Sequence, residues 1–152
     1  MKRFRIYALL LLTSCLSSCS WQEYFAIVNT SGSSVSVAYT IGPSGDGFPI
    51  FSTDFRAYKT TATNGINWDL PVNLTDTDTS KNTVLVSLPD DVILVIGELS
   101  NDHYSHYDQQ FINDRVFNLQ SVDVPINATG IIPKTFDRFF RKKSGIITYE
   151  IK

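Results

Sequence analysis

Only two of the 152 residues are cysteines, Cys15 and Cys19, so few groups are available for chemistry that depends on thiols. Apolar runs are short as well, and none reaches the roughly 18 residues that a membrane-spanning helix needs. The serines lack the Gly-x-Ser-x-Gly elbow of hydrolases, and no glycine-rich phosphate loop leads into a helix. The sequence therefore contains no motif for nucleophilic catalysis or for nucleotide binding by a glycine loop.

The first 18 residues have the layout of an export signal. Three basic residues among the first five positions precede an apolar run at 6–12, and small residues follow it. This order is typical of signal peptides, and the run is too short to cross a bilayer. We expect residues 1–18 to be removed, which leaves a short tether at 19–23 and a single domain at 24–152.

The end of this signal has a recognisable pattern. Leu16-Ser17-Ser18-Cys19 resembles the lipobox of bacterial lipoproteins, in which an aliphatic residue and two small residues precede a cysteine. The resemblance implies that the Cys19 thiol takes up diacylglycerol and fatty acyl chains such as palmitate, which anchor the protein in a membrane. With this thiol consumed, neither a disulfide nor a cysteine metal site remains. The stretch ending at Cys15 fits the same pattern with a shorter signal and stays an alternative.

The residue after the acylated cysteine bears on the choice of membrane. In the sorting rule of enteric lipoproteins, an Asp at this position retains the protein at the inner membrane. Ser20 stands here instead, so the resemblance implies the outer membrane. Surface-exported lipoproteins of the Bacteroidota often carry an acidic run in this place, whereas 20–23 contain one acid, Glu23. We therefore expect the periplasmic face of the cell envelope rather than the surface.

Net charge limits the class of partner. Removing the three basic side chains of the signal from the 13 Lys+Arg leaves 10, against 15 Asp+Glu, a formal charge of about −5. Binding to a phosphate backbone needs clustered surplus cations, so this balance argues against nucleic acid as a partner. The length suits one domain with a single core.

Apolar and polar residues alternate along much of the chain, which indicates β-strands. In Val35–Ile41 every odd position is apolar. A strand is also predicted at 24–29, and the turn residues at 29–32 predict a hairpin between the two strands.

Residues 66–74 predict a half-buried strand, because apolar side chains occupy alternate positions. Trp68 belongs to the apolar set, so we expect it to face the core. Pro71 cannot donate a ladder hydrogen bond, which places the predicted strand at the edge of a sheet.

Four more strands are predicted at Thr83–Leu88, 92–99, 115–124 and Ile146–Ile151. The apolar run at 92–96 is typical of a central strand that is covered on both faces. Residues 89–91 are predicted to form the hinge or turn before it.

One helix is predicted near the C-terminus. Three phenylalanines between 136 and 140 have i, i+3, i+4 spacing, and Thr135 can cap the start. The basic residues at 141–143 suit the C-terminal end of a helix dipole, and Gly145 would stop the helix. Short strands with one short helix predict an all-β fold, an antiparallel β-sandwich that is immunoglobulin-like in the loose architectural sense.

The densest chemistry lies between residues 101 and 108. His103 and His106 are three residues apart, and Asp102 and Asp108 flank them. Imidazole nitrogens with carboxylate oxygens can hold zinc or a similar metal. A catalytic zinc needs three protein ligands, and the sequence identifies no third ligand elsewhere, so an exposed polar loop is the competing interpretation.

The same segment supports a glycan-binding interpretation. Tyr104 and Tyr107 can present ring faces to the C–H surfaces of a sugar, while Asp102 and Asp108 accept hydrogen bonds from its hydroxyls. Tyrosine is common in β-proteins, so ordinary packing is the alternative.

Two further clusters carry weaker signals. Asp76, Asp78 and Ser80 place oxygen donors at alternate positions, like the start of a calcium loop, but the glycine and glutamate that should follow are missing, so we predict a solvated turn. The basic run at 134–143 can contact anionic headgroups, or it can be the solvated face of the helix.

These observations favour a lipid-anchored, non-enzymatic envelope protein that binds a glycan or a protein and needs no cofactor. One alternative is a small metal-dependent envelope enzyme that uses His103 and His106. Another is a structural subunit of an envelope complex that offers an exposed strand edge, such as the one predicted at Pro71, to a partner strand.

Overall fold

A computed structural model describes residues 20–43, 49–105, 111–112, 115–124 and 130–152 of the chain. Within these residues the alternating segments form strands, and a 3₁₀ turn at Pro133–Thr135 leads into a short helix, α1, at Phe136–Phe139. The strands are β1 Gln22–Asn29, β2 Val35–Ile41, β3 Phe51–Thr60, β4 Ile66–Pro71, β5 Thr77–Thr79, β6 Thr83–Leu88, β7 Val92–Ser100, β8 Phe111–Ile112, β9 Arg115–Val116, β10 Leu119–Asp123, β11 Arg141–Lys143 and β12 Ile146–Ile151.

Two sheets form a sandwich-like arrangement. The larger sheet has the order β11-β12-β1-β7-β3-β4, the smaller has the order β10-β2-β6-β5, and β8 pairs with β9 apart from both. The predicted all-β sandwich with one short helix near the C-terminus is confirmed. The pairing differs from the expected antiparallel pattern at one place, because β1 and β12 run parallel.

The central strand predicted from its apolar run is β7, which pairs with β1 on one side and β3 on the other. Its residues from Val92 to Gly97 are all buried. The face towards the smaller sheet belongs to the main core. The opposite face, here called the outer face, is covered by a second hydrophobic cluster of Ala26, Val28, Ile66, Ile93 and Val95.

The predicted hairpin between β1 and β2 is wrong. The two strands lie in different sheets, so the turn at 29–32 carries the chain across the sandwich. Asn29 is fully buried there, and its side-chain amide donates to the carbonyls of Ser33 at 2.7 Å and Leu88 at 2.8 Å. Alternation identifies a strand and its buried face, but it does not state which sheet the strand joins.

The chain crosses between the sheets again at 89–91, so these residues are a crossover and not a hairpin turn. Asp90 accepts a hydrogen bond from the N–H of Gly32 at 2.9 Å, which ties the two crossovers together. The segment predicted as a solvated calcium-like turn contains β5, an exposed edge strand that pairs with β6. The strand predicted at 115–124 is divided into β9 and β10.

The edge position predicted from Pro71 is confirmed, because β4 ends the larger sheet. The prediction that Trp68 faces the core is wrong, since its side chain is 44% exposed. Ile66, Trp68 and Leu70 share a parity, and Ile66 joins the cluster on the outer face. Within β4 the apolar set therefore faces away from the main core, whereas Val72 and Leu74, beyond the end of the strand, pack against the main core.

The helix is shorter than predicted. It ends at Phe139, and the basic residues expected in its last turn form β11, which pairs with β12 through a turn at Ser144 and Gly145, both with positive φ. Arg141 still stabilises the helix end, because its guanidinium donates to the carbonyls of Arg138 at 3.0 Å and Phe140 at 2.9 Å. Pairing with β12 satisfies the backbone of 141–143 in a way that a frayed helix end would not.

Candidate functional site

The segment after β7 turns back towards the start of β1. Asn101 has a φ of 55°, and its N–H donates to the carbonyl of Trp21 at 3.0 Å. Asp102 accepts a hydrogen bond from the N–H of His103 at 2.7 Å, while its other carboxylate oxygen is buried and has no hydrogen-bond partner among the described residues. Asp102, His103 and Tyr104 therefore lie at the end of the sandwich where β1 begins, which is here called the entry end.

The carboxylate of Glu23 organises the entry end. Glu23 is only 3% exposed, and one of its oxygens lies 2.6 Å from the Lys142 ammonium and 2.8 Å from Nδ1 of His103. Its other oxygen accepts the N–H of Tyr104 at 2.9 Å, and Lys142 also donates to the carbonyl of Tyr104 at 2.9 Å. A buried charge needs such partners, so this cluster joins β1, β11 and the segment after β7.

The imidazole of His103 is held on two sides. Its ring stacks on Trp21 with centroids 3.6 Å apart and an interplanar angle of 17°, and its Nδ1 faces Glu23. Its predicted partner His106 lies outside the described residues. Among the residues that are described, no group of three or more His, Cys, Asp or Glu side chains is placed to hold a metal ion.

The ring of Tyr104 belongs to the core. It is 5% exposed, packs edge-on against Phe25 with centroids 5.5 Å apart, and donates its hydroxyl to the carboxylate of Asp137. An enclosed ring offers no face to a sugar, so the expectation for Tyr104 is not met in this conformation. Tyr107 and Asp108, the other residues of that glycan hypothesis, lie outside the described residues.

Another group of aromatic side chains is accessible on the outer face of the larger sheet. The indole of Trp68 on β4 lies with its ring centroid 4.8 Å from Tyr24 on β1 and 5.0 Å from Tyr58 on β3. Tyr24 and Tyr58 pack against the second hydrophobic cluster, and both are partly buried. Trp68, Tyr24 and Tyr58 are here called the outer aromatic cluster.

Curvature of the sheet makes this meeting possible. In a flat sheet β4 and β1, three strand positions apart, would be separated by about 14 Å, since neighbouring strands are about 4.8 Å apart. The turn between β3 and β4 bends over the outer face, where the Asn64 side chain donates to Glu150 on β12 at 3.0 Å. The outer face is therefore concave, and Trp68 reaches inward across it.

A groove of about 690 Å³ is lined by Glu98 and Arg56, which neighbour Tyr24, and not by the three rings themselves. Tyr24 pairs in register with Glu98, whose carboxylate lies 2.9 Å from the Arg56 guanidinium, and both members of this ion pair are about half exposed. Arg115 borders the groove and donates to the carbonyl of Ser100 at 3.1 Å. The polar side chains that line the groove are Ser52, Asp54, Arg56, Glu98, Ser100 and Arg115.

Two acidic and two basic side chains line this groove, so its charge is balanced. The hydroxyl of Tyr24 stays neutral there, because burial and then the negative charge of Glu98 raise its pKa, with Arg56 acting in the opposite direction. That hydroxyl donates to the side-chain oxygen of Gln22 at 2.5 Å. The surface combines apolar rings with neutral and paired polar groups.

Sequence reasoning missed both the Glu23 cluster and the outer aromatic cluster. A signal for each exists: Glu23 shares the inward parity of Phe25 in an otherwise apolar strand, and Tyr24 gives the same strand an aromatic residue on its other parity. The contact of Trp68 with Tyr24 depends on sheet order and curvature, which the alternation does not contain.

Comparison with known proteins finds no matching family model, no matching curated protein and no matching solved structure. In the part of the chain that the structure describes, no helix is long and apolar enough to cross a membrane. Cys19 lies outside that part.

Proposed function

We propose that this protein is a lipid-anchored, non-enzymatic binding module of the bacterial cell envelope, and that its ligand is a neutral saccharide. The observation that carries the proposal is the outer aromatic cluster, in which Trp68 contacts both Tyr24 and Tyr58 on a concave sheet face near a polar groove of about 690 Å³. A groove of this size lies within the range that small-ligand sites occupy.

The chemistry of a pyranose ring suits this surface. One face of the ring carries mainly C–H groups, which pack on aromatic rings, while hydroxyls project from its rim. Trp68 is 44% exposed, although burial would be the usual state of so large an apolar side chain. Tyr and Trp combine apolar area with one polar group, which makes them suitable for a ligand that is apolar on its face and carries hydroxyls at its edge.

The polar groups beside the rings favour a neutral ligand over a charged one. Arg56 and Glu98 already neutralise one another at 2.9 Å and still expose about half of each side chain. A carboxylate accepts and a guanidinium donates, so the pair can engage sugar hydroxyls of either orientation. An anionic ligand would have to compete with Glu98 for Arg56 and would meet Asp54 in the same groove.

Anchoring forms the second part of the proposal and rests on the lipobox resemblance. Acylation of Cys19 would hold the mature chain in the outer membrane, with the domain on its periplasmic side. The test is metabolic labelling with a clickable palmitate analogue in cells that express the wild type, Cys19→Ala or Cys15→Ala. We expect Cys19→Ala to lose the label and enter the soluble fraction, and loss with Cys15→Ala alone would move the acylated residue to position 15.

Ligand binding is tested by screening the labelled protein on an oligosaccharide array and by titrating each saccharide that binds. We expect Trp68→Ala to weaken binding at least tenfold. Leu85→Ala is the matched control, because Leu85 is an equally exposed apolar residue, 45%, on the smaller sheet. Binding that survives Trp68→Ala, or capture of a stoichiometric protein partner with no saccharide bound, would contradict the proposal and favour the structural-subunit alternative.

A further inference from the structure

The entry end of the domain carries an exposed cluster of cations. Arg138, Arg141, Lys142 and Lys143 are all exposed in the structure, although the expected mature chain as a whole is acidic. They are brought together by α1, which ends at Phe139, and by the β11–β12 hairpin that follows directly. These four residues are here called the basic entry cluster.

Backbone contacts place this cluster beside the start of the chain. The N–H of Tyr24 donates to the carbonyl of Gly145 at 3.0 Å, so the tip of the β11–β12 hairpin lies next to the first residues of β1. Lys142 extends this link, because its ammonium lies 2.6 Å from Glu23. Lys142 and Lys143 therefore lie beside the point where the tether joins the domain, and the contact of Asp137 with Tyr104 brings Arg138 to the same end.

The acidic groups that face this cluster are engaged within the domain. Glu23 is 3% exposed and bound by Lys142, and Asp137 accepts the hydroxyl of Tyr104. Asp102 holds the N–H of His103 with one oxygen and buries the other. Within the described residues, Lys142 is paired with Glu23, and Arg138, Arg141 and Lys143 remain against the exposed Asp137, so the outward-facing charge of the entry end is net positive.

The tether allows almost no separation between this end and the membrane. Trp21 is already fixed, since its carbonyl accepts the N–H of Asn101 and its ring stacks on His103. Only Ser20 lies between Cys19 and Trp21, so their Cα atoms are at most about 7 Å apart in an extended chain. If Cys19 is acylated, as the proposed function holds, the basic entry cluster must lie at the level of the headgroups.

We propose that the basic entry cluster docks on anionic phospholipid headgroups and holds the domain upright on the membrane. The attraction between surface cations and an anionic leaflet acts over about one Debye length, so only groups this close to the anchor contribute. The strands of the larger sheet then run away from the bilayer, and the outer aromatic cluster faces sideways into the compartment. The inference rests on the proposed anchor but not on the saccharide ligand.

The test uses mature full-length protein with Trp68→Phe, which leaves Trp21 as its only tryptophan. The protein is reconstituted into vesicles of phosphatidylcholine alone or with phosphatidylglycerol, each carrying a headgroup nitroxide that quenches nearby tryptophan. We expect at least twofold stronger quenching of Trp21 with phosphatidylglycerol, and loss of that difference in high salt. Equal quenching in the two vesicle types would overturn the proposal.

A charge-matched pair of variants locates the effect. Arg138→Glu with Lys143→Glu should reduce quenching to the phosphatidylcholine level, whereas Lys59→Glu with Lys152→Glu, at the opposite end, should leave the difference intact. An equal loss in both variants would show that net charge, and not this cluster, is responsible. Mass spectrometry shows whether the same samples are acylated, so a missing lipid anchor is detected separately. If the protein is not acylated, its flotation with anionic vesicles still measures whether it prefers anionic headgroups.

Discussion

Two aromatic clusters lie on opposite faces of the larger sheet, and neighbouring residues of one strand belong to each. Phe25 faces the main core, where its ring packs against Phe51, Phe117 and Phe136 in tilted or edge-on contacts and none of its surface is exposed. Tyr24, one residue earlier, faces outward and meets Trp68. The inner rings are enclosed by the second sheet and α1, while the outer rings are only partly covered.

We therefore expect the inner cluster to determine the stability of the fold and the outer cluster to determine ligand binding. Burial of a complete aromatic side chain contributes strongly to folding, whereas a half-exposed ring contributes less and remains available to a ligand. Substitutions on the inner face should therefore change the free energy of unfolding, and substitutions on the outer face should mainly change binding.

The largest expected effect is that of Phe25→Ala. Truncating a fully buried phenylalanine leaves a cavity and should lower the free energy of unfolding by about 3–5 kcal/mol. Tyr24→Ala, its neighbour on the other face, should cost less than half as much. Urea unfolding followed by circular dichroism measures both, and equal losses would mean that the outer cluster is part of the core.

A similar comparison holds for two glutamates. Glu23→Gln removes a buried charge that three donors share and should lower the free energy of unfolding by about 2–3 kcal/mol, since hydrogen bonds to charged groups are among the stronger ones. Glu98→Gln, at an exposed ion pair with Arg56, should change it by no more than about 0.5 kcal/mol. Urea unfolding measures both variants. A large effect of Glu98→Gln would contradict the view that Glu23, and not Glu98, is the glutamate that stabilises the fold.

Alkaline pH should affect Tyr39, a fully buried core tyrosine on β2 of the smaller sheet. Burial, followed by the charge of Asp54, raises the pKa of Tyr39 well above its ordinary value of 10.0, and its hydroxyl donates to the carbonyl of Ser52 at 2.8 Å. A phenol whose folded pKa is raised contributes stability below the unfolded pKa and loses it as pH rises towards the folded pKa. Stability should therefore fall above about pH 10, and Tyr39→Phe should flatten that dependence in unfolding curves between pH 8 and 11.

Among the aromatic substitutions, the smallest expected change in stability is that of Trp68→Ala. Because nearly half of this side chain is exposed and β4 is an edge strand, the free energy of unfolding should change by about 1 kcal/mol. Saccharide binding should fall at least tenfold in the same variant. A loss of binding that is accompanied by global unfolding would remove the distinction between the two faces.

Strand positions could be predicted largely from the sequence, because burial on one face imposes a period of two that Val35–Ile41, Thr83–Leu88 and Ile146–Ile151 display. The sheet to which each strand belongs could not be predicted, because the turn residues at 29–32 are equally compatible with a hairpin and a crossover. The parallel pairing of β1 with β12 joins opposite ends of the chain and has no local signature.

Less of the candidate site could be predicted. The polar character of 101–104 is visible in the sequence, but the partners that this segment meets, Glu23 and Lys142, are distant in sequence. The alternation identifies Trp68 as part of an apolar set but does not tell which face that set covers, because a sheet covered on both sides has two apolar surfaces. Which surface stays open depends on curvature that only the folded chain provides.

The most direct test of the central claim follows the fluorescence of Trp68 itself. In Trp21→Phe protein Trp68 is the sole tryptophan, and it is titrated with xylo-, malto-, cello- and chito-hexaose while acrylamide quenching is measured. We predict that a binding hexaose shifts the emission to shorter wavelength and lowers the quenching constant at least twofold, since the sugar would cover the indole. Saturable binding seen by calorimetry with no change at Trp68, or no binding to any of the four, would contradict the account.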